Sequence, residues 1–234
     1  MKLSDYVASF LAKQGIRHVF AISGGASLHL IHSIEKTPGI SYVCPQHEQA
    51  GAMAADAYSR VTGNLGAAIA TSGPGATNMI TGVCCAYYDS IPVIYITGQV
   101  TTFRLKRNSG VRQLGFQETA TVDIYKPITK YAVRLDAPDR IRFELEKATY
   151  LAKSGRPGPV LIDIPDDLQR TEIEPCGLES FVPEQETSEP SQLLELVDRC
   201  IQLVNEAKRP VLILGWGIRL AKAEEEAKRL VAAL

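Results

Sequence analysis

One carboxylate, that of Glu48, stands at a place in the sequence where a charge has no evident structural use. The apolar run before it, residues 40–44, is typical of the end of a buried strand, and the small residues after it, within 50–57, recur with helical spacing. Glu48 is therefore predicted at a junction between a strand and a helix, which is where open α/β sheets bind ligands. A carboxylate there can hydrogen-bond a bound molecule and take part in proton transfer. The alternative is that Glu48 only complements the dipole of its helix.

A glycine turn follows an earlier predicted strand. The apolar residues 18–22 lead directly into the sequence Ser-Gly-Gly. Gly24 and Gly25 permit a tight turn and a close approach of a ligand to the backbone, although chain geometry alone could also require them. On the helix that follows, His29 and His32 have no partners at metal-ligand spacing. We expect them to have surface or packing roles, and we predict no metal ligands in this chain.

A second glycine-rich turn, Ser-Gly-Pro-Gly at residues 72–75, follows the buried strand predicted over residues 65–71. It opens a helix predicted over residues 76–88, whose first backbone N–H groups are exposed at its start. The turn lacks the lysine of a P-loop and the spacing of a dinucleotide fingerprint, so we reject both kinds of phosphate site. Asn78 could line a ligand pocket here, or, like Thr77, it could merely cap the helix.

The rest of the first half alternates apolar strands with amphipathic helices. Helices are predicted over residues 2–14 and 138–154, and strands over 93–97, over 128–133 with an edge-like polarity pattern, and within 155–165. The alternation predicts an α/β fold, namely an open, mainly parallel sheet with helices on both faces.

A polar and basic loop, residues 101–110, follows the strand at 93–97. Such a loop is usually solvated, and the alternative is a lid or subunit contact that meets an anionic substrate. Phe116 and Gln117 come shortly after it.

The second half begins a new unit. Residues 1–170 are predicted to form the first domain, 171–191 a linker over its surface and 192–234 the incomplete start of a central α/β domain. In this last part we expect a helix to residue 207, a strand at 210–214, a Gly-Trp-Gly turn and a helix to residue 234. The apolar residues expected to anchor the linker are Ile173, Leu178, Phe181 and Val182.

Composition excludes several classes of protein. A net charge of −1 gives no reason to expect a nucleic acid or an anionic membrane as partner. The first residues, 1–22, are interrupted by charges and do not resemble a signal peptide or a membrane span. The five cysteines form no Cys-x-x-Cys pair, which favours free thiols in a reducing cytoplasm over a disulfide framework or a zinc site.

Five sequence segments (called phrases below), in their order and at their intervals, resemble the N-terminal pyrimidine-binding domain of thiamine-diphosphate enzymes of the acetolactate synthase type. The resemblance covers about residues 1–175 and continues weakly to the end. The phrases are AISGGASLHL from residue 21, PQHEQAGAMAADAYSR from 45, ATSGPGATN from 70, YDSIPVIYITGQV from 88 and GFQE from 115.

The resemblance implies roles for the residues that match these phrases. Glu48 would hydrogen-bond a nitrogen of the cofactor's aminopyrimidine and so activate the cofactor's own amino group, which takes the thiazolium proton. Gly24 and Gly25 would lie beside the reactive ring and the substrate. Pro74 and Asn78 would line the aminopyrimidine pocket. Gln117, with Phe116, would reach the substrate region of a neighbouring active site, so the implied catalytic residues are Glu48, Gln117 and Gly25.

The resemblance also implies partners. The substrate would be a 2-oxo acid such as pyruvate, and the active sites would be shared between subunits of a homodimer or homotetramer. In the family, Mg²⁺ and the cofactor's diphosphate are held by a later domain with a Gly-Asp-Gly phrase, which this sequence lacks. The chain alone would then be inactive. Some members bind a flavin dinucleotide in the central domain, but Gly-Trp-Gly alone does not establish FAD binding.

Two departures from the family pattern leave the product open. Thr101 stands where acetolactate synthases usually have proline, and Arg-Gln-Leu-Gly precedes Phe116 in place of a more acidic segment. A carboligase with another acceptor, such as an activated sugar, or a plain 2-oxo acid decarboxylase would have a similar domain. Two further alternatives are a stand-alone pyrimidine-domain subunit and a non-catalytic regulatory module. A dinucleotide-dependent oxidoreductase is disfavoured by the missing fingerprint.

Overall fold

The computed structural model describes residues 1–183 and 190–233. The chain divides into two compact units, Met1–Val182 and Pro183–Leu234. We describe each of them by itself.

The first unit is built on a six-stranded sheet in which every paired neighbour is parallel, with the order β2-β1-β3-β4-β6-β5. This confirms the predicted open α/β sheet. The strands are β1 His18–Ala21, β2 Ser41–Val43, β3 Gly66–Ala70, β4 Val93–Gln99, β5 Tyr131–Arg134 and β6 Val160–Pro165. The helices are α1 Leu3–Lys13, α2 Leu28–Lys36, α3 Glu48–Thr62, α4 Pro74–Asn78, α5 Ile80–Tyr88, α6 Thr121–Tyr125, α7 Ile141–Lys153 and α8 Asp166–Gln169.

Helices cover both faces of the sheet. One core joins the apolar sides of α1, α2 and α7 to the sheet, and the other joins α3 and α5 to it. Because β3, β4 and β6 are covered on both sides, every residue of these strands is buried. A strand covered on both sides has a continuous apolar sequence, and β3, β4 and β6 were predicted from such sequences.

Small residues bring α3 unusually close to the sheet and to α5. A Cβ atom built on Gly66 would lie 2.1 Å from the carbonyl oxygen of Ala55, and one built on Gly82 would lie 2.5 Å from the Cβ of Ala52. Only glycine leaves room for such an approach. The alanine-rich stretch after Glu48 therefore has a packing function, and it determines where the first turn of α3 lies.

Two predicted elements of the first unit differ from those observed. The strand expected to be buried over residues 40–44 is the edge strand β2, whose three residues are all exposed, because it pairs with β1 alone. The helix expected over residues 76–88 is divided at Met79 into α4 and α5, and it begins earlier, with Pro74 in its first turn. The edge strand predicted near 128–133 is confirmed as β5.

The predicted linker lies only partly within the described residues, since residues 184–189 are outside them. Ile173 is buried and Leu178 packs against the core, while Phe181 contacts two rings of α7, that of Phe143 edge-on and that of Tyr150 at a tilt. Val182 is 76% exposed, so the prediction that it anchors this segment was wrong.

The described part of the second unit contains helices α9 Pro190–Glu206, α10 Gly217–Leu220 and α11 Glu224–Ala233. The strand predicted at residues 210–214 is not formed in the described part, where these residues have no regular secondary structure. An apolar run becomes a strand only when another strand supplies its hydrogen bonds. The final predicted helix is likewise divided into α10 and α11, and Leu234 lies outside the described residues. Among the described helices, none combines the length and the apolar character needed to cross a membrane.

Candidate functional site

Most of the residues singled out from the sequence lie at the carboxyl ends of the parallel strands. Gly24 and Gly25 follow β1, Glu48 follows β2, and the Ser-Gly-Pro-Gly turn follows β3. The carboxyl ends of parallel strands share one edge of the sheet, where α/β proteins bind their ligands.

Glu48 is the first residue of α3, and its side chain is half-buried. The residue before it, His47, occupies the N-cap position and accepts a hydrogen bond from the backbone N–H of Gln49 through Nδ1, at 3.1 Å. Such a cap satisfies a backbone donor that the first turn would otherwise leave free. The cap thus fixes the start of α3 and the backbone position from which the Glu48 carboxylate projects.

Asn78 holds one oxygen of that carboxylate. Its Nδ2 donates a hydrogen bond of 2.9 Å to Glu48 Oε2. The alternative that Asn78 merely caps its helix is wrong, because α4 begins at Pro74 with Gly73 as the N-cap residue, and Asn78 lies at the end of this helix. One Glu48 oxygen is therefore oriented by a neutral amide from another helix.

The second oxygen of Glu48 lies beside a glycine. A Cβ atom built on Gly75 would lie 3.4 Å from Glu48 Oε1 and 2.7 Å from the methyl carbon of Thr71. A Cβ atom built on Gly24 would lie 2.4 Å from the Cβ of Thr71. The Thr71 side chain thus fills the space between the two glycine turns, and any side chain at either glycine would displace it.

Thr71 was missed in the sequence analysis. The signal that could have found it is its position, as the residue between the last residue of a buried strand and a glycine-rich turn. Its hydroxyl accepts a hydrogen bond of 3.2 Å from the backbone N–H of Ala26, the residue after the Gly-Gly pair.

Gly25 and Pro74 are both exposed. An added Cβ on Gly25 would meet nothing within 4 Å, so the turn presents open space on that side. Pro74 stands in the first turn of α4, where its ring suits the helical backbone and its missing N–H costs nothing. Both residues are therefore accessible to a molecule that approaches this edge of the sheet.

Gln117 lies against the same glycine-rich turn. A Cβ atom built on Gly73 would lie 2.8 Å from the Cβ of Gln117 and 2.9 Å from its carbonyl oxygen. Gln117 has a φ of 61°, in the left-handed region that few residues other than glycine occupy. Phe116, its neighbour, is 83% exposed. The Gln117 loop is therefore joined to the turn after β3 within this chain, with the aromatic ring directed to the surface.

A second acid organises the loop that leads to Gln117. Glu118 accepts backbone hydrogen bonds from Lys106 at 2.7 Å and from Leu114 at 2.8 Å. The basic segment at 101–110, expected to be solvated or lid-like, is thus held at Lys106 by a carboxylate that also holds Leu114.

A buried carboxylate lies beneath this loop. Asp163 in β6 is 1% exposed and accepts hydrogen bonds from Thr97 Oγ1 at 2.6 Å and Gln99 Nε2 at 2.9 Å. Gln99 Nε2 also donates to the carbonyl oxygen of Thr119, at 3.0 Å. Burial raises the pKa of Asp163 from 3.8 to about 7, against the opposing effects of the two hydrogen bonds and of Arg134. Asp163 was missed in the sequence, where the signal that could have found it is a lone acid in an otherwise apolar strand.

Gly98 is required by the position of the Gly-Gly turn on β4. A Cβ atom there would lie 1.9 Å from the carbonyl oxygen of Ala26, which is backbone and cannot rotate away. We expect Gly98→Ala to lower the free energy of unfolding by about 2–3 kcal/mol, as overpacking of a tight interior does.

Urea unfolding measures this effect, and Gly177→Ala is the matched control. Gly177 is exposed and has nothing within 4 Å of an added Cβ, so its change should stay within about 0.5 kcal/mol. Equal midpoints for the two variants would contradict the close packing described here.

A parallel sheet that gathers a helix-terminal carboxylate, an amide and two glycine turns at the ends of its strands defines an α/β ligand-binding domain. The chain belongs to the thiamine pyrophosphate enzymes: the family model described as "Thiamine pyrophosphate enzyme, N-terminal TPP binding domain" matches residues 1–124. Membership of this family implies thiamine diphosphate as the cofactor.

The relatives with known names agree with this family. The chain is 37% identical over 235 residues to acetolactate synthase 2, chloroplastic, of Nicotiana tabacum, which covers 98% of this chain and 34% of the relative. It is 38% identical over 230 residues to the acetolactate synthase of Arthrospira platensis, covering 94% of this chain and 38% of the relative. The chain thus spans about a third of the length of these curated relatives.

Proposed function

We propose that the full-length gene product is a thiamine-diphosphate-dependent enzyme of the acetolactate synthase type. It decarboxylates pyruvate or a similar 2-oxo acid and transfers the resulting acyl-anion equivalent to an acceptor. The observation that carries this proposal is the Glu48 carboxylate, which has one oxygen held by Asn78 and the other beside Gly75.

The residues present fit an aminopyrimidine ring. Gly75 leaves the Glu48 Oε1 side free of a side chain, since a Cβ there would fill the space next to that oxygen. Gly25 adds open space at the end of β1. A flat ring with nitrogen atoms on its edge needs this combination of a carboxylate at one edge and bare backbone beside it. Glu48, Asn78, Gly24, Gly25 and Pro74 are the residues that would hold it.

When bound, the cofactor supplies a carbon nucleophile and an electron sink for decarboxylation. Glu48 would hydrogen-bond the ring nitrogen and would hold or give up a proton at Oε1, which would make it the proton-transfer residue of the chain. Asn78 keeps the carboxylate oriented during this exchange by donating to Oε2. A donor that stays in place through the reaction avoids the cost of reorganising the site.

Gln117 and Gly25 are the substrate-side residues in this proposal. Gly25 leaves room for the 2-oxo acid above the turn, and Gln117 supplies an amide from the loop joined to Gly73. The unusual backbone of Gln117 is typical of positions whose conformation serves a site. In an assembled enzyme Gln117 would reach a substrate bound at a subunit interface.

The remaining parts of the proposal concern the whole protein. Mg²⁺ and the diphosphate are held by a later domain, FAD binding is possible but is not supported by Gly-Trp-Gly alone, and the enzyme is a homodimer or homotetramer that works in the cytoplasm. Neither nucleic acid nor a membrane is a partner. The relatives from plants carry "chloroplastic" in their names, so the location of this protein is tested separately, by fractionation of its own cells.

The experiment that tests the function uses the full-length gene product with thiamine diphosphate, Mg²⁺ and pyruvate. We expect cofactor-dependent release of carbon dioxide and the formation of acetolactate. Cofactor binding without release would mean that another 2-oxo acid is the donor. Absence of cofactor binding would overturn the proposal.

A second candidate is an enzyme of this family with a different acceptor or none, which would release an aldehyde. It is favoured by Thr101, which lies two residues after the end of β4. Acetolactate synthases usually have proline at the position of Thr101. Acetaldehyde in place of acetolactate, in the same assay, would favour this candidate.

A further inference from the structure

One residue of the Gly-Gly turn, Ala26, is held at both of its backbone polar atoms by side chains from other elements. The N–H of Ala26 donates to Thr71 Oγ1, at 3.2 Å, and the carbonyl oxygen of Ala26 accepts from Gln169 Nε2, at 2.7 Å. Thr71 follows β3, and Gln169 ends α8, 143 positions away from Ala26 in the sequence. The two contacts therefore join the turn to two separate parts of the sheet edge.

The orientation of the Gln169 amide is determined by its neighbours. Its Nε2 donates a second hydrogen bond of 2.8 Å to the carbonyl oxygen of Ile164, so both of its partners are acceptors. A flipped amide would bring its oxygen against two carbonyl oxygens. The Nε2 atom must therefore face Ala26.

Gln169 is fully buried, and its Oε1 has no hydrogen-bond partner among the described residues. An interior amide with one unpaired atom is costly, and an apolar side chain of similar size would avoid that cost. A residue that only filled space would not need this amide. Its two donated hydrogen bonds are the evident reason for its presence.

The turn has little freedom to leave this position. The carbonyl oxygen of Ala26 lies so close to Gly98 that a Cβ atom built on Gly98 would be 1.9 Å from it. Inside the turn, the N–H of Ser27 donates to the carbonyl oxygen of Gly24, at 2.9 Å. Thr71 also packs against Gly24 and Gly75. Movement at Ala26 would therefore be transmitted to Gly24, Gly25 and the space beside Glu48.

We propose that Thr71 and Gln169 form a clamp on the backbone of Ala26, one on its N–H and the other on its carbonyl oxygen, that positions the Gly24-Gly25 turn against the bound cofactor and substrate. Both are positioning residues, since they act through the backbone of the turn. The identity of the ligand in this proposal rests on the proposed function, whereas the clamp itself is a property of the ligand-free chain.

The first test measures amide hydrogen exchange at Ala26 in the cofactor-free, full-length gene product. Thr71→Val keeps the shape and removes the hydroxyl, and we expect exchange at Ala26 to become at least about tenfold faster. Thr71→Ser restores the hydroxyl and should restore slow exchange. Thr129→Val is the matched control, because Thr129 is buried and its change likewise removes one hydrogen bond, to the carbonyl oxygen of Tyr125, away from the turn. Unchanged exchange in Thr71→Val, or equal acceleration in Thr129→Val, would overturn the clamp.

The second test measures thiamine diphosphate affinity in Thr71→Val, Gln169→Met and the double variant. Met keeps the length of Gln169 without its donors. We expect each single change to weaken binding about tenfold and the double change to weaken it little more, because both act through the backbone of the same residue, Ala26. Independent effects that multiply to about a hundredfold would contradict a shared action. If the wild-type protein binds no thiamine diphosphate, the proposed function fails, and the exchange measurement still decides whether the clamp exists.

Discussion

Glu48→Gln in the full-length gene product is expected to lower cofactor-dependent carbon dioxide release from pyruvate by a factor of about 10²–10⁴, which is the range that general acid–base catalysis supplies. The physical reason is the loss of an exchangeable proton at one atom, Oε1. The glutamine carbonyl can still accept the hydrogen bond from Asn78 Nδ2, so the start of α3 and the shape of the site should be retained. The measurement is the initial rate of release at saturating cofactor and pyruvate.

The control for this variant is Glu35→Gln. Glu35 is an exposed residue of α2, and the same change of charge there should leave the rate within a factor of two of wild type. A Glu48→Gln enzyme with wild-type activity would show that the carboxylate only complements the helix dipole. Equal loss in both variants would point to a general effect of net charge.

Asp163→Asn is expected to change how stability depends on pH. The pKa of Asp163 is raised from 3.8 to about 7 in the folded chain, mainly by burial. Between these values the folded state binds more protons than the unfolded state, so the contribution of Asp163 to stability is complete below pH 3.8 and is lost as the pH rises through about 7. The loss over this range amounts to about 4 kcal/mol, at about 1.4 kcal/mol per pH unit.

Asparagine does not titrate, and its side-chain oxygen can still accept the hydrogen bond from Gln99. Relative to wild type, the free energy of unfolding of Asp163→Asn should therefore rise by about 4 kcal/mol between pH 4 and pH 8. Urea unfolding at several pH values measures it. Asp139→Asn, at an exposed position, is the control and should run parallel to wild type. Parallel curves for Asp163→Asn as well would mean that the carboxylate is not desolvated as the structure indicates.

Much of the fold could be predicted from the sequence because local patterns report burial directly. The strands β3, β4 and β6 are apolar runs since helices cover both of their faces. The two strand predictions that were wrong have the same physical origin. The exposure of β2 and the missing strand at 210–214 depend on which strands lie beside them, and an apolar run contains no information about its neighbours.

The candidate site was predicted unevenly. Glu48, Asn78 and the two glycine turns stand in distinctive local sequence, and the structure brings them to one edge of the sheet. Thr71 and Gln169 were missed because threonine and glutamine at the ends of elements are common, and only their contacts with Ala26 distinguish them.

The sequence by itself determined the class of fold, the strand-to-helix junction at Glu48 and the glycine turns beside it, because each depends on residues close together in the chain. Only the tertiary structure decided that Asn78 holds Glu48, that Gln117 lies against Gly73 and that Asp163 is buried beneath the Thr119 segment. These contacts depend on the strand order, which brings together residues far apart in the sequence at one edge of the sheet. A hydrogen bond between such residues forms only where packing has already placed donor and acceptor within about 3 Å of each other.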